Sequence, residues 1–206
     1  MADKVRIGVI GLGIGKSHLK GYQGHPQADV VALCDMNPER LSQVSKEFGV
    51  AKTYTDAEAM FKGETLDAVS VCTPNKFHAP LTIQALERGL HVLCEKPMAM
   101  NTAEAEKMNA LAKAKGRNLM INFSYRFNPM SRALKSEVDK GTFGDIYFGR
   151  TVWHRRRGMP GFGGWFGDKE LAGGGPLIDL GVHRIALALW LMGYPEPVSV
   201  YGSPYS

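Results

Sequence analysis

Residues 8–16 read Gly8-Val9-Ile10-Gly11-Leu12-Gly13-Ile14-Gly15-Lys16. The stretch closes a short apolar run, residues 5–10, and opens a segment, residues 16–22, whose composition suits a helix. Glycines at such a junction let the backbone approach a phosphate. The helix N-terminus then offers it free N–H groups and a positive dipole end. Gly11 and Gly13 occupy the first two positions of the pattern that cradles a dinucleotide pyrophosphate, with Ile14 and Gly15 completing the loop. The third position falls on Lys16, and Gly15 comes one place early, so the motif is compressed. A glycine turn at an ordinary strand–helix junction has the same local look, and the residues C-terminal to the loop must decide between the two.

Outward from this loop, apolar runs alternate with helical segments. Residues 30–34 form a second run closing on Asp35, and Pro38 opens a polar helix at a position where its missing N–H costs nothing. Residues 68–72, 91–94 and 119–122 are further short strands. Between them lie a helix ending before Gly89 and another capped by Asn101 or Thr102 and stopped by Gly116. Strands that are apolar throughout and joined by helices indicate a parallel sheet covered on both faces. The expected fold class is α/β: an N-terminal Rossmann-type, doubly wound parallel sheet over residues 1–124, then an incomplete open-sheet α/β domain over residues 125–206. In that second part a helix is expected over residues 129–140, strands over residues 144–153 and 198–201, and an apolar helix ending at Met192. Two strands cannot cover a helix bearing Ile185, Leu187, Leu189, Trp190 and Leu191, hence the expectation that the domain is incomplete, its missing part cut away or supplied by a partner.

Asp35 ends the second strand, where a carboxylate accepts hydrogen bonds from adenosine ribose hydroxyls. It repels a 2′-phosphate, and neither Met36 nor Asn37 adds a compensating cation, so NAD is expected over NADP. Loops at the carboxyl ends of parallel strands line the ligand crevice. They bring Thr73, Pro74, Asn75 and His78 after one strand and Glu95, Lys96 and Pro97 after the next. All but Pro97 are candidate cofactor contacts. Lys96 is also a candidate catalytic residue, because an ammonium donor stabilises an oxygen that is losing its proton. Asp179 and His183 are four residues apart, on one face if helical. A histidine titrates near neutrality and suits proton transfer from an alcohol. The bland alternatives are a surface Glu–Lys pair before a proline and a core histidine with an acidic neighbour.

Four elements in order carry a specific resemblance: the glycine loop, Thr73-Pro74-Asn75-Lys76-Phe77-His78, His91-Val92-Leu93-Cys94-Glu95-Lys96-Pro97, and Gly173-Gly174-Gly175-Pro176-Leu177-Ile178-Asp179-Leu180-Gly181-Val182-His183. Together with Ser124-Tyr125-Arg126-Phe127, the set resembles the Gfo/Idh/MocA family of oxidoreductases. The resemblance implies an NAD(P)-dependent enzyme moving a hydride between nicotinamide and a sugar, inositol or related polyol. Lys96 would contact nicotinamide and substrate, with a cis Lys96–Pro97 bond; His183 would be the acid/base and Asp179 its companion. It also implies a homo-oligomer formed through the second domain. Two alternatives stay open: a glycosidase of the same family using NAD transiently, and a non-catalytic dinucleotide-binding module. One departure is Ala186, where many relatives carry an aspartate three residues after the histidine. Arg155 and Arg157 share a strand face that Arg156 does not; each either reaches ligand or is solvated. Trp165 either walls the nicotinamide pocket or simply packs.

Composition fits this picture. Of 206 residues, 44% are hydrophobic and 22% charged, which argues against long disorder. The net charge of +5 suits an anionic ligand but is too diffuse to indicate nucleic acid. Cys34, Cys72 and Cys94 form no CxxC pair and read as buried free thiols of a reducing compartment, not as a metal site. No apolar run approaches a membrane span and no cleavage signal opens the chain, so a cytoplasmic protein without metal, membrane or nucleic-acid partner is expected.

Overall fold

The computed structural model describes residues 4–154, 156–157 and 163–203. The chain forms two compact units: Met1–Asn122 with Met159–Asp179, and Phe123–Gly158 with Leu180–Ser206. The first differs from the expected residues 1–124 by gathering in a later segment.

Strands β1 (Val5–Ile10), β2 (Ala28–Cys34), β3 (Thr53–Tyr54), β4 (Ala68–Val71), β5 (His91–Cys94) and β6 (Leu119–Ile121) form one sheet in the order β3-β2-β1-β4-β5-β6. Every pairing is parallel. The order reverses between β1 and β4, which opens a crevice at the carboxyl ends of those strands. Alternating side chains feed two apolar layers. Ile7, Val9 and Leu33 join Leu12, Leu19, Leu41, Val44 and Phe48 in one, while Ile10, Ala32 and Cys34 join Met60, Val69, Leu86 and Met108 in the other.

Helices α1 (Gly15–Gln23), α2 (Pro38–Phe48), α3 (Ala57–Gly63), α4 (His78–Glu87) and α5 (Thr102–Lys115) supply those layers. Their ends follow from local chemistry. Asn37 caps α2 by accepting from the Arg40 N–H, Asn101 caps α5 by accepting from Glu104, and Gly49 and Gly116 end them in left-handed conformation. The three cysteines are free and buried. Burial pushes Cys34 and Cys94 up to about 12 and Cys72 well above its ordinary value, so none carries a reactive thiolate near neutrality.

The second unit contains α6 (Pro129–Asp139) and α8 (Val182–Leu191), with a 3-10 turn at Ser124–Phe127. Cations stacked on aromatic rings are prominent in it: Arg126 on Phe123 and Tyr194, Arg184 on Tyr125 and Trp153, and Lys135 on Trp190. The strands expected at residues 144–153 and 198–201 are not formed. A β-pattern becomes a strand only with a ladder partner, and neither segment has one among the described residues. Tyr147 and Val198 are consequently 95% and 97% exposed.

Candidate active site

Gly11 follows β1 with φ +86°, and a Cβ there would lie 2.5 Å from the Cys72 carbonyl oxygen. Only glycine lets the loop pass the end of β4 this closely. A Cβ on Gly13 would meet nothing within 4 Å, which leaves the backbone open to a ligand. Gly15 begins α1, and a Cβ on it would press on Val9 Cγ1 at 3.1 Å. The compressed motif thus keeps all three glycine functions: the tight turn, the open approach and the close helix–strand packing. Ile14 sits at the N-cap of α1 with no side-chain cap, so the loop N–H groups are not claimed by it.

Asp35, 6% exposed, faces this loop from the end of β2. Its Oδ2 accepts from the Leu12 N–H at 2.8 Å and its Oδ1 from the Asn37 N–H at 2.8 Å. Arg40 Nη1 approaches Oδ1 at 3.4 Å and Oδ2 at 3.2 Å, the longest bonds in the set and made by a half-exposed side chain. Considering Met36 and Asn37 alone overlooked this cation. Helix α2 carries Arg40 back over the carboxylate, and its place in the first turn after Asn37 is the signal that reveals it. Beside Asp35, Met36, Asn37, Pro38 and Glu39 line an open surface depression.

After β4, Thr73 holds a buried Oγ1 with no hydrogen-bond partner among the described residues, an orphan polar atom on the ligand loop. Pro74 precedes the short turn Asn75–Phe77. Asn75 is buried and donates from Nδ2 to the Ala172 carbonyl at 2.7 Å, tying down the segment after Trp165. In that segment Trp165 stacks on Phe166, and helix α7 (Lys169–Ala172) is capped by Asp168. His78 is 1% exposed, with Nδ1 2.6 Å from the Pro97 carbonyl and Nε2 2.8 Å from that of Thr73. Burial lowers its pKa, opposed by these carbonyls. Both ring nitrogens thus face backbone carbonyls, and the neutral imidazole donates to one of them. His78 braces the loops after β4 and β5. The Glu95 carboxylate turns inward to His18 and Asn122.

Lys96 follows β5, and its bond to Pro97 is cis. Its Nζ donates to Asp179 Oδ1 at 2.7 Å and to the Asp179 carbonyl at 2.9 Å. An ammonium has three protons, so one donor remains for a ligand oxygen. Asp179 lies in a π-helical turn, Leu177–Gly181, and its carboxylate is partnered by Lys96 across 83 residues of sequence. Sequence spacing had suggested only His183 as its neighbour. In the second unit, His183 stands in the first turn of α8, with the Tyr125 and Trp153 rings 5.1 Å and 6.0 Å from it. Ala186 is buried, consistent with a packing role for this departure. Arg156 and Arg157 make no ion pair among the described residues, and Arg155 lies outside them. No group of metal-ligating side chains occurs among the described residues, and no helix there is long and apolar enough to cross a membrane.

Residues 5–123 match the family model described as oxidoreductase family, NAD-binding Rossmann fold, and residues 131–205 match the GFO/IDH/MocA C-terminal domain. Among curated proteins, the chain is 38% identical to a D-glucoside 3-dehydrogenase of Escherichia coli, covering 97% of this chain and 57% of that protein. It is 32% identical to a myo-inositol 2-dehydrogenase of Thermotoga maritima, covering 92% and 55%. The crystal structure of an NAD-binding protein from Listeria innocua superposes with a TM-score of 0.82 at 29% identity, covering 92% of this chain and 55% of that one. The chain therefore spans somewhat over half the length of these relatives.

Proposed function

The chain belongs to the GFO/IDH/MocA oxidoreductase family and carries its NAD-binding Rossmann domain, and on that basis we propose that the full-length protein oxidises a secondary alcohol of a sugar, inositol or related polyol. The observation that carries the reading is the Lys96 ammonium at the crevice edge, pinned by two bonds to Asp179 with one donor to spare. The residues present fit NAD. Gly11, Gly13, Ile14 and Gly15 would cradle the pyrophosphate, Asp35 would receive the ribose hydroxyls, and Thr73, whose buried hydroxyl has no partner among the described residues, and Pro74 would contribute from the loop after β4. When bound, NAD supplies the hydride acceptor. Lys96 donates to the substrate oxygen and favours its alkoxide. His183, assigned by its chemistry and its place in the family motif, takes the hydroxyl proton. The alcohol loses a hydride to the nicotinamide and a proton to His183, so a secondary alcohol becomes a ketone and a sugar's hemiacetal carbon a lactone.

His183→Asn in the full-length protein is expected to lower kcat by about 100- to 10,000-fold, read as reduced-nicotinamide absorbance with a polyol panel. Unchanged turnover removes the acid/base assignment. Asp35→Asn should weaken NAD about 10- to 100-fold by calorimetry, because hydrogen bonds to a charged group are lost. The same change frees Arg40 and narrows the preference over NADP. The buried, free thiols support a reducing, cytoplasmic setting, and the exposed apolar stretches of the second unit support assembly of copies through that domain.

A further inference from the structure

Beneath Lys96 lies a polar network unused by the chemistry above. His18 on α1 places Nε2 3.0 Å from Glu95 Oε1 and Nδ1 3.2 Å from Ser70 Oγ, which in turn contacts the Tyr22 hydroxyl at 2.5 Å. Asn122, just after β6, donates from Nδ2 to Glu95 Oε1 at 2.7 Å and lies 3.3 Å from His18 Nε2. The other oxygen, Oε2, accepts the backbone N–H of Lys96 at 3.2 Å. His18, Ser70 and Glu95 are all buried. Burial alone would raise the Glu95 pKa, but the bonds from His18 and Asn122 outweigh it and hold the carboxyl below its ordinary value. An ionised carboxylate only accepts, so His18 Nε2 carries the proton.

Stability does not explain this arrangement. A buried carboxylate is costly to desolvate even when hydrogen-bonded, and apolar side chains of similar volume commonly serve stability as well or better. What the network does supply is position. Glu95, the residue before Lys96, is tied to α1 and to the end of β6, and the carbonyl of Pro97, the residue after it, is tied to His78. A lysine on a long flexible stem needs its Cα fixed on both sides before its ammonium can be aimed.

Resting on the reading of Lys96 as the donor to the reacting oxygen, we propose that His18 is a positioning residue. Through Glu95 it fixes the Lys96 backbone and couples the pyrophosphate-binding helix α1 to the catalytic lysine. His18→Ala is expected to speed hydrogen exchange of the Lys96 amide about tenfold in this 206-residue chain, with the Val69 and Val71 amides of β4 unchanged. In the full-length protein it should lower kcat about 10- to 100-fold, with KM for the polyol and Kd for NAD within about threefold. His18→Gln, which keeps a donor toward Glu95, should restore most of the loss. In a Lys96→Ala background His18→Ala should cost nothing more, since its effect runs through that lysine. Unchanged Lys96 exchange, or a kcat loss that persists undiminished in the Lys96→Ala background, overturns the proposal. Should His18→Ala fail to fold, Glu95→Gln takes the same tests with the same expectations. If Lys96→Ala leaves turnover intact, the functional reading fails, while the exchange measurement still decides the clamp.

Discussion

Replacing Lys96 with alanine in the full-length protein is expected to lower kcat by about 100- to 1,000-fold, the usual cost of removing one preorganised donor from a developing oxyanion. NAD affinity should change by no more than about threefold, because the interaction lost is one made with the reacting oxygen. The structure adds a second consequence. Without the ammonium, the mostly buried Asp179 carboxylate loses its partner, and the turn Leu177–Gly181 loses the bond that ties it to β5. Lys96→Ala combined with Asp179→Asn removes that stranded charge and should recover thermal stability without recovering turnover. Steady-state kinetics beside a melting curve for both variants checks this. A single variant that is as active as the parent would remove Lys96 from the chemistry.

The second large effect separates two neighbouring glycines. Gly11→Ala forces a left-handed conformation on a residue with a Cβ and drives that atom to 2.5 Å from the Cys72 carbonyl oxygen. The backbone of β1 or β4 must move, at a cost of about 3 kcal/mol or more, which is a large share of a domain's stability. Gly13→Ala meets open space within 4 Å and no positive φ, so the fold should keep its melting temperature. On the proposed reading the same methyl would stand where the pyrophosphate approaches, and NAD affinity should fall by at least about tenfold. Chemical denaturation read against NAD titration distinguishes the cases: Gly11→Ala loses both, Gly13→Ala loses binding alone.

Much of the fold was legible because local chemistry dictates it. Short Val- and Ile-rich runs, Asn37 and Asn101 as caps, and Gly49 and Gly116 as stops mark the Rossmann elements within a residue or two. Thr53–Tyr54 escaped because two residues have no period, and α3 after it lacks a long apolar stripe. The segments at 144–153 and 198–201 carry a true β-pattern, yet pattern specifies a strand only when a neighbour exists to pair with it. At the site, candidate residues clustered in motifs are legible in the sequence, and pairs distant in sequence are not. Lys96 with Asp179, and His18 with Glu95 and Asn122, meet only because the fold sets the ends of β5 and β6 beside α1 and the turn Leu177–Gly181. No spacing rule announces such pairs. For His78 and Glu95, a place in the motif does not say that the side chain turns to backbone carbonyls or to His18 and Asn122.

The most direct test is net reduction of NAD by the full-length protein, measured against product formation over a panel of hexoses, hexosides and inositols. One reduced nicotinamide is expected for each keto product, a signal that disappears in Lys96→Ala while NAD still binds. Product released without net reduction, or tight NAD binding with no oxidation of any polyol in the panel, would contradict a polyol dehydrogenase.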